Sequence, residues 1–121
     1  MKPRASNPYF MNGIPELLIL SLLDRNEMYG YEIVQAIRIS TNAVVAAGEG
    51  VVYPVLHALE AEGAIRSRRR TVGGRSRIYY SATRAGVRRL SGLSQQWMQL
   101  TQAVQTVLKG GAYGDPLPEP A

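Results

Sequence analysis

The chain has 121 residues, 45% hydrophobic and 19% charged, with no cysteine and one histidine. That length holds one small domain rather than two, and the lack of thiols excludes a disulfide framework and a thiolate zinc site. The net charge of +5 hides a partition: residues 1–62 carry four bases and seven acids, whereas residues 63–114 carry ten bases and no acid.

Twelve of the fourteen bases are arginine, whose planar fork pairs with phosphate two bonds at a time. Ordinary solvated surfaces mix both signs. A half-molecule this basic points to a polyanion, nucleic acid before anionic lipid.

Residues 1–12, MKPRASNPYFMN, lack the apolar core of a signal peptide and predict a flexible arm. The longest apolar run, IPELLILSLL, is far short of a membrane span, so a soluble cytoplasmic protein is expected. GIPELLILSLLDRN predicts the first helix, with Pro15 in its first turn. Its leucines, Leu17 among them, leave no polar face, which predicts burial nearly all round and a second subunit covering part of it. YGYEIVQAIRIS predicts a second helix entered at Gly30, with Ile33, Val34 and Ile37 as its apolar stripe. TNAVVAAG either extends that helix or forms a loop. EGVVYPVLHALEAEG predicts a third helix, in which Val52, Val55, Leu56 and Leu59 recur at three- and four-residue spacing. Glu49 favours its N-terminal dipole end, Pro54 is expected in its first turn, and Gly63 stops it.

RSRRRTVGGRSRIYYSA follows. Gly73-Gly74 is a two-residue hairpin signal, so residues 65–72 and 75–82 should pair, with 72 facing 75 and 70 facing 77. Alternation then puts Arg66, Arg68, Arg70, Arg75, Arg77 and Tyr79 on one face, and Ile65, Ile78, Tyr80 and Ala82 on the core face. Arg70 would oppose Arg77 directly, a repulsive pair. A face that keeps five arginines suggests a hairpin built to touch phosphate.

The last helix is expected from an N-cap at Thr83 to about Leu108. Leu90, Leu93, Trp97, Leu100, Val104 and Val107 are spaced 3, 4, 3, 4, 3, a heptad seam. Such a narrow seam packs against a symmetry mate, against the first helix, or both. Arg84, Arg88 and Arg89 read as a solvated face. Residues 109–121, rich in Gly and Pro, predict a disordered tail.

Helix, helix, helix, hairpin, long helix is the order of a winged helix-turn-helix with a dimerisation helix, mainly α with a small β-hairpin (α+β). MYGYEIVQAIR, EGVVYPVLHALEAEGAI and GGRSRIYYSATRAG resemble the signature blocks of the PadR family of bacterial transcriptional regulators, over about residues 14 to 108. The short length and single C-terminal helix resemble its shorter subfamily. The resemblance implies a DNA-binding domain over 13–82 and a dimerisation helix over 83–108. It also implies a homodimer on double-stranded DNA that reads a pseudo-palindromic operator, usually as a repressor. Some members release DNA on binding a small aromatic or cationic drug-like compound.

Carried over by position, Gly50, Val51, Tyr53, Pro54 and His57 fall on the recognition helix, with Tyr53 the leading candidate for phosphate or base contact. Val51 stands where the family commonly has Thr or Ser, so a hydroxyl contact to phosphate is lost or replaced by contact with a thymine methyl. His57 faces the groove or is an exposed helix residue without a role; a lone histidine makes a poor metal site. Arg75 and Arg77 match the basic wing positions, with Arg66, Arg68 and Arg70 adding to them. Tyr79 is a candidate DNA contact and Tyr80 is expected to pack inward. The dimer interface would use Leu17 and the seam, and Trp97 falls where some drug-sensing members stack a ligand.

An enzyme finds no support in the sequence, and no cofactor is expected: Gly73-Gly74 lacks the Lys-Ser/Thr and helix of a phosphate loop. A membrane-surface role lacks an amphipathic anchor. The alternative is a winged-helix protein-interaction module without a specific DNA target. A nucleoid-associated cytoplasmic location follows from the DNA-binding reading.

Overall fold

A computed structural model describes residues 13–111. The arm over 1–12 and the tail from 112 onward lie outside the described residues. Seven elements follow in order: α1 (Ile14–Arg25), β1 (Met28–Tyr29), α2 (Gly30–Ser40), α3 (Glu49–Ala61), β2 (Ile65–Val72), β3 (Arg75–Ala82) and α4 (Arg84–Leu108). The fold is four helices with a three-stranded antiparallel sheet, an α+β winged helix.

The core gathers one stripe from each of the first three helices. Ile19, Leu20 and Leu23 of α1 meet Ile33 and Ile37 of α2 and Val52, Leu56 and Leu59 of α3, with Ile65 and Tyr80 of the hairpin closing one side. Burial of these side chains supplies most of the folding drive, about 1.5–3 kcal/mol for each large aliphatic group. α1 is less enclosed than its composition suggests: Leu17, Leu18 and Leu22 are only half-buried.

TNAVVAAG forms a loop, not an extension of α2. Thr41 Oγ1 donates to the Ile37 carbonyl at 2.8 Å and accepts from Val45 N at 3.1 Å, which folds the chain back. Asn42 and Ala43 take left-handed backbone angles, φ 50° and 62°, and two such residues in succession end the helix.

Three expectations need correction. Ile78, expected on the core face of the hairpin, is 37% exposed, because it lies toward the turn, beyond the reach of the helical core. Pro54 is the sixth residue of α3 and sits in the second turn, not the first. It supplies no N–H to the Gly50 carbonyl, so that oxygen loses its usual helical partner. The sheet also has a strand that periodicity does not reveal, since two residues are too few to alternate. β1 pairs with β3 through Met28 with Tyr80 and Tyr29 with Tyr79, giving the order β1-β3-β2.

The hairpin register is the expected one, Val72 opposite Arg75 and Arg70 opposite Arg77. Its far end is bolted to α4. Thr83 caps that helix, accepting from Gly86 N at 3.1 Å while its own hydroxyl donates to the Gly63 carbonyl at 2.6 Å. Gly86 is buried, and a Cβ there would overlap the Ala64 carbonyl oxygen. Gly86→Ala should therefore lower stability by about 1–3 kcal/mol despite alanine's better helix propensity, read as a drop in melting temperature.

Candidate nucleic-acid interface

The buried stripe of α3 decides what the helix shows to solvent. With Val52, Leu56 and Leu59 inward, Gly50, Val51, Pro54 and His57 lie exposed and Tyr53 is half-buried. Tyr53 is positioned by α2: its ring lies over Gly30, where any Cβ would overlap it. No side chain caps the start of α3; Val51 N and Val52 N both donate to the Gly48 carbonyl, at 3.0 and 2.9 Å.

A cleft of about 570 Å³ opens between α3, the start of α2 and the wing. Gly30, Tyr31, Tyr53, His57, Arg75 and Arg77 line it. Residues of α3 and two arginines of the hairpin thus face one space. Tyr31, half-exposed at its rim, was not singled out from sequence, although it stands in the YGY of the second helix.

The rest of the arginine face is organised differently from the expectation. Glu27, just before β1, accepts from Arg68 Nε at 2.7 Å, Arg68 Nη2 at 2.8 Å and Arg70 Nη1 at 3.0 Å. Arg70 lies 4.5 Å over the Tyr79 ring and Arg77 lies 4.3 Å over the Tyr29 ring. The two rings meet edge to face at 5.4 Å. The Arg68 hydrogen bond is the largest influence holding the Glu27 carboxyl below its ordinary range. With that sign, the contact stabilises the fold above the ordinary carboxylate range and is lost as pH falls through the lowered value.

Tyr79, expected as a DNA contact, is therefore corrected: it is 7% exposed, covered by Tyr29 and Arg70. Tyr80 is buried as expected. Among the described residues, Arg66, Arg75 and Arg77 make no ion pair. Arg89 is not simply solvated: it pairs with Glu16 at 3.0 Å and with Glu62, tying α4 to α1 and to the end of α3.

The seam of α4 divides in two. Leu90 and Leu93 pack on the core of their own domain. Trp97, Leu100, Val104 and Val107 are 36%, 53%, 47% and 73% exposed. A crevice of about 170 Å³ lies between Leu17 of α1 and Leu93, Trp97 and Leu100 of α4. Beyond it an apolar groove runs along Trp97, Leu100, Val104 and Leu108.

The model of the transcriptional regulator PadR-like family matches residues 19–92. The chain belongs to this family. The PadR-like match spans the second half of α1, α2, α3, the wing and the start of α4. Transcriptional regulator Rv3488 of Mycobacterium tuberculosis is 33% identical over 104 residues, 86% of this chain and 92% of that protein. The crystal structure of a PadR-like transcriptional regulator from Bacillus cereus superposes with a TM-score of 0.76 at 27% identity, covering 85% of this chain and 99% of the other. A Streptococcus transcriptional regulator gives 0.73 at 32% identity, covering 84% and 98%. PadR-like proteins are transcriptional regulators, not enzymes. No helix among the described residues is long and apolar enough to cross a membrane.

Burial of Tyr79 makes it a structural residue of this PadR-like wing. Tyr79→Ala should destabilise the fold by about 3 kcal/mol, measured by chemical denaturation.

Proposed function

We propose that this PadR-like chain represses transcription as a cytoplasmic, nucleoid-associated homodimer bound to a pseudo-palindromic operator. The single observation that carries this reading is the cleft in which Tyr53 and His57 of α3 face Arg75 and Arg77 of the wing. A DNA strand entering it would meet cations from the wing and the outward side of α3 together. Phosphate contacts position a protein on the duplex, and base contacts specify the site. Gly50, Val51, Pro54 and His57 present few hydrogen-bonding groups to base edges, so discrimination leans on DNA shape and half-site spacing.

The uncovered apolar half of α4 supports the dimer. A second copy packed on Trp97, Leu100, Val104 and Val107 would bury what is now exposed, and would set two α3 helices about 34 Å apart, one turn of DNA. The crevice beside Trp97 has room and apolar walls for a small aromatic or cationic effector, whose binding would release DNA by altering that packing.

Titration against the DNA upstream of its own gene, with a scrambled duplex as control at two salt concentrations, tests the reading. Selective binding that survives the higher salt is expected; equal, salt-sensitive binding to both duplexes refutes an operator. Arg75→Ala with Arg77→Ala should weaken binding to every duplex and lower the salt slope by about 2. Leu100→Glu with Val104→Glu should give folded monomers in sedimentation, and a persistent dimer would refute the seam.

A further inference from the structure

Of the wing arginines on the outward face, two are already engaged. Arg68 and Arg70 bind the same carboxylate, that of Glu27, at 2.7 to 3.0 Å. Glu27 does not belong to the wing. It sits in the link between α1 and β1, 41 residues from Arg68, and reaches across to the hairpin. Its side chain is only 19% exposed, whereas that of Arg68 is 65% exposed. The carboxylate is held in place while the cation it binds lies open to any other anion.

A carboxylate fork on guanidinium has the same geometry as a phosphate fork. A duplex approaching Arg68 or Arg70 must therefore displace a bound anion, which it need not do at Arg66, Arg75 or Arg77. This has consequences for selectivity. Each neutralised phosphate raises affinity for all sequences alike. A reading helix with few base-directed groups gains little to offset that rise. Removing two cations from general circulation lowers the non-specific background more than it lowers binding where base contacts also contribute.

We propose that Glu27 is a specificity-determining residue: a resident anion that competes with DNA phosphate for Arg68 and Arg70 and so restrains binding to non-target duplex. The inference rests on the DNA-binding reading above.

The test is Glu27→Gln in the full chain, which keeps the shape and removes the charge. Binding to a random duplex and to the DNA upstream of its own gene would be followed across salt concentration. Affinity for the random duplex should rise roughly three- to tenfold, and the salt slope should steepen by about 0.9 for each arginine freed. The ratio of specific to random binding should fall. Unchanged or weaker binding to the random duplex, or an unchanged slope, would overturn the proposal. Independently of any change at Glu27, Arg68→Ala should alter random-duplex affinity less than twofold while Arg75→Ala lowers it several-fold; equal losses would also overturn it. If the wild-type chain binds no duplex, the DNA-binding reading has failed, and elution from immobilised heparin decides the competition on its own. Later elution of Glu27→Gln than of Asp24→Asn, which removes the same charge from a residue in no ion pair among the described residues, upholds it, and co-elution of the two variants removes it.

Discussion

Arg70 and Arg77 stand directly opposite each other on neighbouring strands, and like charges so placed repel. Each guanidinium has a favourable partner that offsets this repulsion. Arg70 turns onto the Tyr79 ring and the Glu27 carboxylate, while Arg77 turns onto the Tyr29 ring. Both devices require β1. That two-residue strand brings Tyr29 beside Tyr79, and the residue before it is the acid. A hairpin that would otherwise repel itself is thereby fastened to the helical core at the entrance to α2. The same fastening sets Arg75 and Arg77 across from Tyr53 and His57.

A second set of contacts does for α4 what this ladder does for the wing. Arg89 bridges Glu16 of α1 and Glu62 after α3, and Thr83 and Gly86 close on the Gly63–Ala64 backbone. Exposed ion pairs are individually weak, so the close packing at Gly86 supplies the geometry and the charges supplement it. Among the described residues, the distal half of α4 has no such anchors, and its apolar side chains lie exposed. The proximal half of the heptad seam belongs to the domain, and the distal half is exposed among the described residues.

Much of this architecture is legible in the amino-acid order. Gly73-Gly74 marks the turn, and alternation around it gives the true register; Thr83 and the heptad spacing mark α4; the stripe Val52, Leu56, Leu59 marks the inward side of α3. Most of what escapes depends on pairs distant in sequence. Glu27 looks like an unremarkable loop acid until the fold carries Arg68 to it. Tyr79 alternates with the arginines and so reads as outward-facing, but the added strand buries it. Arg89 looks solvated until α1 and the end of α3 converge on it. Pro54 misleads for a local reason: counted from a start at Glu49, residue 54 already lies in the second turn, and proline's preference for a first turn points elsewhere. Of the candidate site, the arginine-rich composition and the outward side of α3 are readable from sequence, whereas the division of the arginines between phosphate-ready and already engaged is not.

The contact between Gly86 and the Ala64 carbonyl also makes α4 a lever with a stiff fulcrum. Twenty-five residues span about 37 Å at 1.5 Å per residue, so a tilt of about five degrees at the fulcrum would sweep the far end through about 3 Å. Backbone pressed against backbone leaves little slack for such a tilt. The base of the hairpin and the start of α4 are therefore joined without slack, so the angle of α4 and the angle of the wing are set at one point, Gly86 on Ala64.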